Sequence, residues 1–329
     1  MLLLSKEDIK KVFTMNDAID AVKEAFMIFS QGKSVVPLRT QIPAPKHEGV
    51  FLFMPAYAEE LDIASVKIVN IFPKNAEKDI PTAPAQVLLI DGKTGMVRSI
   101  LDGTLLTQMR TGAATGAAFD VLGRKDAKIG AMIGTGGQAR MQLEAMLAVR
   151  KLDEVRVYSR NVEKNERFVA MMQDELRQYG TKIIAEKSSD DAIENADLII
   201  AVTSATAPVL DGTKVKKGAT LSFVGSYQPH MQEMPPEILE RASKLYFDSE
   251  EAVLSEAGDI LIPLDEGRIS KDDFTGDLGE VLLGKLVARE NDEEIIVFKT
   301  VGIGTQDLVT AKHIYAKASK EQVGTLWGE

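Results

Sequence analysis

The sequence predicts an α/β fold: a central Rossmann domain, a doubly wound parallel sheet, plus an α+β domain built from both chain ends. Two observations carry this. From about Lys128 onward, apolar strand patterns alternate with helical ones. Before that point, strand-like runs follow one another and close on a hairpin. At 329 residues the chain is long enough for two domains.

Taken in order, the first element is a helix. Thr14 can cap it with Asp17 three residues on, and Ala18, Ile19, Val22, Ala25, Phe26 and Phe29 form one apolar stripe. Strands are expected at 51–54 and 63–71. The segment QVLLIDGKTGMVRSIL reads as a hairpin, with Asp91-Gly92 and Thr94-Gly95 as its turn signals. Residues 110–118, RTGAATGAA, are small and merge into a helix able to approach another backbone closely. Further strands are expected at 129–133, 155–158, 182–185, 198–202, 220–224 and 245–247, with helices at 165–179 and 190–195 among them. A last apolar run, 295–298, leads into VGIGTQDLVTAKHIYAKAS, a glycine turn followed by a helix. The Rossmann domain is therefore placed at 119–305. Residues 1–118 with 306–329 form one other domain.

The most informative stretch is KIGAMIGTGGQARMQLEAMLAVR, which begins at Lys128. An apolar run ends at Gly134, and the turn Gly134-Thr135-Gly136-Gly137-Gln138-Ala139 opens directly into a helix. Strand, G-x-G-x-x-A turn and helix together seat a pyrophosphate on a helix N-terminus. The same turn also occurs as an ordinary tight connection in α/β sheets. The next strand ends in Ser159-Arg160-Asn161, where NAD-preferring sites usually carry Asp or Glu for the ribose 2′-hydroxyl. A carboxylate repels a 2′-phosphate, whereas a hydroxyl and a guanidinium can hydrogen-bond one. The expected cofactor is thus NADP(H), with NAD(H) possible and Arg160 as a plain surface cation the alternative.

Composition narrows the class. The apolar fraction of 45% supports a sizeable core, and a net charge of −10 gives no basic footprint for nucleic acid or an anionic membrane. No run approaches the roughly 20 apolar residues needed to span a bilayer. Met1-Leu2-Leu3-Leu4 runs directly into Ser5-Lys6-Glu7-Asp8, too short for a secretory segment, so the expected location is cytoplasmic. With no cysteine, disulfides, thiolate metal sites and cysteine nucleophiles are excluded. His47, His230 and His313 are widely separated and no H-E-x-x-H occurs, so no metal is expected. There is neither a G-x-S-x-G elbow nor a G-K-[ST] phosphate loop. The acidic stretch 265–273 lacks Ca²⁺-loop spacing and reads as a solvated face.

Hydride transfer needs an anchor for the substrate, cationic if that substrate is a carboxylate. Arg39, Lys67 and Arg110 each lie in an apolar or small-residue setting. Lys67, within SVKIVNIF, falls on an expected strand where it is partly buried. Burial depresses an amine's pKa and suits it to proton transfer near neutral pH. For each of the three, a solvated cation or a structural ion pair is the alternative.

Several separated motifs together resemble the ornithine cyclodeaminase/mu-crystallin family. They are Arg39-Thr40, the strand holding Lys67, PTAPAQVLLIDGKTG from Pro81, RTGAATGAA from Arg110, IGTGGQA from Ile133, VGSYQPHMQEM from Val224 and FKTVGIGTQDLVTA from Phe298. The resemblance implies that residues 1–118 with 306–329 are a substrate-binding and dimerisation domain, and it implies a homodimer and a small imino or amino acid substrate. It implies that Arg39, Lys67 and Arg110 bind a carboxylate and are catalytic, with Lys67 placed for proton transfer and Tyr227 at the substrate. Thr111 and the 134–139 turn would meet the cofactor phosphates; Thr203, Gly225, Gly302 and Gly304 would lie along the cofactor. Cyclodeaminases of the family carry Asp where Tyr227 stands. A phenol, with a reference pKa of about 10, does not supply that anion. The cyclodeaminases also cycle NAD catalytically, whereas biosynthetic reductions usually draw on NADPH. The chain is therefore most similar to the family's imine reductases, acting on Δ1-pyrroline-2-carboxylate or Δ1-piperideine-2-carboxylate. Ornithine cyclodeaminase, an amino acid dehydrogenase and a mu-crystallin-type NADPH-dependent binding protein are the alternatives.

Overall fold

The computed structural model describes residues 1–78 and 80–328. The chain divides into two units, Met1–Arg110 with Ile303–Glu329, and Thr111–Gly302. The sequence reading placed these boundaries at 118/119 and 305/306; the first division falls inside a helix.

The first unit opens with β1 (Leu2–Leu4), α1 (Lys6–Val12) and α2 (Met15–Ser30). Thr14 caps α2 reciprocally: its hydroxyl accepts from the Asp17 amide at 3.3 Å, and the Asp17 carboxylate accepts from the Thr14 amide at 2.9 Å. Ile28, rather than Phe29, is buried at the end of α2, because the buried face runs through Ala18, Ala21, Ala25 and Ile28 at helical spacing. Strands β2 (Ser34–Val35), β3 (Thr40–Ala44), β4 (Gly49–Ala58), β5 (Ile63–Ile71), β6 (Ala85–Asp91) and β7 (Val97–Asp102) follow. The expected hairpin is the antiparallel β6–β7 pair, with Val87 opposite Leu101. Asp91 shapes its turn, accepting from the Thr94 amide at 2.8 Å and hydroxyl at 2.7 Å. Helix α3 (Gly103–Leu122) then contains the whole small-residue run, with Ala113, Ala114, Ala117 and Ala118 fully buried.

The second unit is a parallel sheet. Its elements are β8 (Ile129–Ile133), α4 (Ala139–Val149), β9 (Glu154–Tyr158), α5 (Val162–Glu175), β10 (Lys182–Ala185), α6 (Ser189–Ile193), β11 (Leu198–Ala201) and β12 (Thr220–Phe223). They continue with α7 (Pro236–Arg241), β13 (Lys244–Phe247), α8 (Glu250–Glu256), α9 (Gly258–Asp265), β14 (Gly276–Asp277), α10 (Leu278–Leu282) and β15 (Ile296–Lys299). The strand order is β10-β9-β8-β11-β12-β15-β13-β14. Chain order reverses at β8, so the switch point lies between β8 and β11, where α/β sheets bind ligands. Both faces of the sheet are covered. Ala131, Ile133, Ile199 and Ala201 pack in one cluster, while the intervening Met132, Leu198 and Ile200 pack in another. The helix expected from residue 165 begins at Val162, because the Asn161 side chain accepts from the Lys164 amide at 2.8 Å and caps it. It ends at Glu175, and a 3₁₀ turn carries Arg177–Tyr179.

The chain then returns to the first unit with α11 (Gly304–Glu321) and β16 (Thr325–Leu326). Strand β16 pairs antiparallel with β1, giving the order β16-β1-β7-β6-β5-β4-β2, with β3 alongside β4. Helix α11 packs on α2 and across β4, β5 and β6. Its N-terminal turns, from Gly304 to Ala311, are entirely buried. Among the described residues no helix is long and apolar enough to cross a membrane.

Candidate active site

Within the first unit, Lys67 stands at the middle of β5, on the face it shares with Ser65 and Val69, and is buried. Its ammonium donates to the Asp307 carboxylate of α11 at 2.5 Å. Arg110 donates from Nε to the other oxygen of Asp307 at 3.0 Å, and from Nη1 to the Gln306 side chain at 3.5 Å. Asp307 thus joins two cations that lie far from it in sequence. Burial works to raise its pKa, but Arg110 and Lys67 outweigh this and hold it below the usual carboxylate value. Lys67 is pushed down to about 7, first by burial and then by Arg110; Asp307 opposes the shift, and Arg39 adds to it. Arg39 precedes β3 and is partly exposed. One buried carboxylate facing two buried cations, with a third cation within electrostatic reach, leaves surplus positive charge away from water. Such a site favours an anion.

Within the second unit, a cleft of about 760 Å³ opens at the β8/β11 switch point. Gly134, Thr135 and Gly136 form one wall and Thr203 another. Gly134 has φ +110°, and a Cβ there would meet the Val202 carbonyl oxygen at 2.5 Å, so the turn passes tight against the neighbouring strand end. The backbone at Gly136 and Gly137 has open space beside it. Gln138 precedes α4 and makes no side-chain cap, and the Ala139 amide donates to the Gly136 carbonyl at 3.1 Å, so no side chain covers the helix N-terminus at this turn. Ala139 is fully buried. These features fit a dinucleotide pyrophosphate. Ser159, Arg160 and Asn161 lie along the same cleft, as does Lys164.

The remaining expected residues are placed as follows. Thr111 is the first residue of the second unit, and its carbonyl accepts from the Gln142 side chain of α4 at 3.0 Å. Gly225 and Tyr227 follow β12, with Tyr227 half-buried. The Gly302 amide donates to the buried Asp248 carboxylate at 2.6 Å, and Gly304 starts α11. Sequence reasoning missed Asp307, Lys164 and Glu233, whose carboxylate holds Thr203. Asp307 sits in the first turn of a helix, where an acid ordinarily complements the helix dipole, so its position alone did not single it out. Lys164 lies in the first turn of α5, four residues past Arg160, and could have been found from its closeness in sequence to that strand end.

A family model described as ornithine cyclodeaminase/mu-crystallin family matches residues 1–322. A Delta(1)-pyrroline-2-carboxylate reductase of Bacillus cereus is 36% identical over 324 residues, 98% of each chain. Among solved structures, the Thermococcus litoralis Delta(1)-pyrroline-2-carboxylate reductase in complex with NADH and L-proline is 40% identical. It superposes with a TM-score of 0.94 over 99% of this chain and 100% of its own. An archaeal alanine dehydrogenase dimer with bound NAD is 32% identical, with a TM-score of 0.90 over 99% and 98%.

The shared carboxylate predicts the outcome of Asp307→Asn. Losing it leaves buried positive charge without its partner, which destabilises by about 3 kcal/mol at pH 6. The loss shrinks at pH 9, where a Lys67 with a folded value near 7 is neutral in both proteins. Urea unfolding at the two pH values measures it; an equal loss at both contradicts the assignment.

Proposed function

The chain belongs to the ornithine cyclodeaminase/mu-crystallin family, and on that premise we propose that it reduces a cyclic α-imino acid to the corresponding L-amino acid. The preferred substrates are Δ1-pyrroline-2-carboxylate and Δ1-piperideine-2-carboxylate. The observation that carries this reading is the buried cationic surplus around Asp307. A substrate carboxylate entering there completes the charge balance, with Arg110 and Arg39 as its partners. Lys67, poised near neutrality, holds or passes the proton that the imine nitrogen must gain. When bound, a reduced nicotinamide dinucleotide supplies the hydride to the imine carbon. Residues 134–139 with Thr111 would hold its phosphates and Thr203, Gly225 and Gly302 the rest of the dinucleotide; Gly304 is a further candidate for the cofactor and Tyr227 for the substrate. The tyrosine at the position where cyclodeaminases carry aspartate supports reduction over loss of ammonia.

Purified protein is expected to oxidise NADPH or NADH with Δ1-pyrroline-2-carboxylate and to form L-proline. Protonated Lys67 is the active form, so kcat/KM falls as pH rises through about 7, by up to about tenfold per pH unit. Lys67→Met removes this limb and lowers kcat/KM by about 10²–10³-fold. Proline and ammonia formed from ornithine with catalytic NAD, without imine reduction, would reverse the reading; tight cofactor binding with no turnover would favour a binding protein.

We infer that NADPH is preferred. Ser159, Arg160 and Lys164 on the cleft offer a hydroxyl and two cations to a 2′-phosphate. Arg160→Ala is expected to raise KM for NADPH about tenfold and leave that for NADH unchanged, since a charge-assisted hydrogen bond to a phosphate contributes about 1.5 kcal/mol. An equal change for both cofactors, measured by initial rates, contradicts this.

We also infer a homodimer, as in the archaeal alanine dehydrogenase relative. Val35 on β2, Ile42 on β3 and Leu38 between them are 64%, 50% and 61% exposed, apolar side chains that a second copy would cover. Light scattering is expected to give a mass near twice 35.9 kDa, falling when Leu38→Glu is introduced; a monomeric wild type refutes the inference.

A further inference from the structure

Glu233 belongs to the segment between β12 and α7 and is completely buried, yet nothing in the imine chemistry calls for it. Its carboxylate accepts four hydrogen bonds. One oxygen accepts from the Thr203 amide at 2.6 Å and the Thr203 hydroxyl at 2.8 Å. The other accepts from the amides of Val224 at 3.0 Å and Gly225 at 2.5 Å. Thr203 follows β11 and Gly225 follows β12, so a single side chain ties together the two chain segments that leave adjacent parallel strands. Their approach is close enough that a Cβ on Gly225 would fall 1.8 Å from the Thr203 carbonyl oxygen. Thr203 in turn forms part of the cleft wall at the switch point.

We propose that Glu233 is a positioning residue for the dinucleotide: its ionised carboxylate sets Thr203 against the cleft, and protonation loosens that wall and weakens cofactor binding. This rests on the reading that residues 111–302 bind a dinucleotide. Three of the four donors are backbone amides, and the carboxylate form accepts from all four; a proton on the oxygen facing Val224 and Gly225 displaces one of those amides, and a proton on the other reverses the bond to the Thr203 hydroxyl. The charged groups that face Glu233 are Asp259 of α9 and Lys299 of β15. Asp259 accepts from the Glu233 amide at 2.7 Å and the Met234 amide at 2.9 Å, and Lys299 lies 3.0 Å from its second oxygen. Burial, and then Asp259, push the Glu233 carboxyl up to about 7, against Lys299 and the backbone donors. The group therefore changes charge within the range where the enzyme would work.

The test is the dissociation constant of NADH, read from its fluorescence on binding, between pH 6 and pH 8. NADH is chosen over NADPH because a phosphate monoester titrates in the same range, near pKa 6. If only the ionised form binds well, the constant rises about tenfold from pH 8 to pH 6 in the wild type. Glu233→Gln, which offers one acceptor oxygen in place of two, is expected to bind about tenfold more weakly at pH 8 and to lose the pH dependence. Should that variant fail to fold, Asp259→Asn serves instead. It keeps an oxygen for the two backbone donors but removes the neighbouring anion, so the midpoint of the profile moves to lower pH. A flat wild-type profile, an unchanged slope in Glu233→Gln, or an unmoved midpoint in Asp259→Asn overturns the role of Glu233 while leaving the dinucleotide reading intact. A wild type that binds no NADH at either pH overturns both.

Discussion

The candidate chemistry of the first unit depends on one buried carboxylate. Asp307 enters on α11 and meets Lys67, 240 residues earlier in the chain, on β5, which pairs antiparallel with β4 and β6. The same group meets Arg110 on α3. Two oxygens are therefore shared between two cations that sit in almost no water. A lone lysine at that depth would lose its proton outright, and a lone aspartate would gain one. Together they hold each other charged, but incompletely: Lys67 is left at about 7, first because it is buried and then because Arg110, and less so Arg39, repel its charge. Buried positive charge held by a single carboxylate is costly, and an anionic group would offset that cost.

The second unit rests on a different constraint, the crowding of backbone at the carboxyl ends of parallel strands. Gly134 turns against the Val202 carbonyl, and Gly225 against that of Thr203. Each contact leaves no room for a Cβ. Closeness of this kind exposes backbone amides at the switch point, where a phosphate can take them, but it also strands polar groups that need partners. Asp248 and Glu233 meet that need from inside the protein. Asp248 accepts from the Thr300 hydroxyl and from the Val301 and Gly302 amides, while Glu233 collects Thr203, Val224 and Gly225. Buried acids in this unit thus act on the shape of the strand ends.

Much of the architecture was legible before the structure. Strands 129–133 and 182–185 fall where their apolar runs predicted, because a parallel sheet covered on both faces leaves no polar alternation to confuse the pattern. The Thr14 capping box and the hairpin turn at Asp91 were readable because they are local, three-residue interactions. Element ends were less so: α5 starts three residues before its apolar pattern does, since its cap is a side chain outside the stripe. In the site, Lys67 and Arg110 stood out as cations in apolar surroundings. Asp307 and Glu233 did not, since an acid near a helix start or in a loop usually faces solvent.

The sequence by itself determined the two-part α/β plan, the glycine turn, the cationic candidates and the family resemblance, all of which are written in local pattern or motif order. Only the tertiary structure decided which acid answers which base, how deeply Lys67 is buried, and that one glutamate joins two strand ends. Those properties depend on distances between residues far apart in the chain and on the exclusion of water around them. Neither is encoded at any single position; both arise when α11 closes over β5 and when β11 and β12 lie side by side.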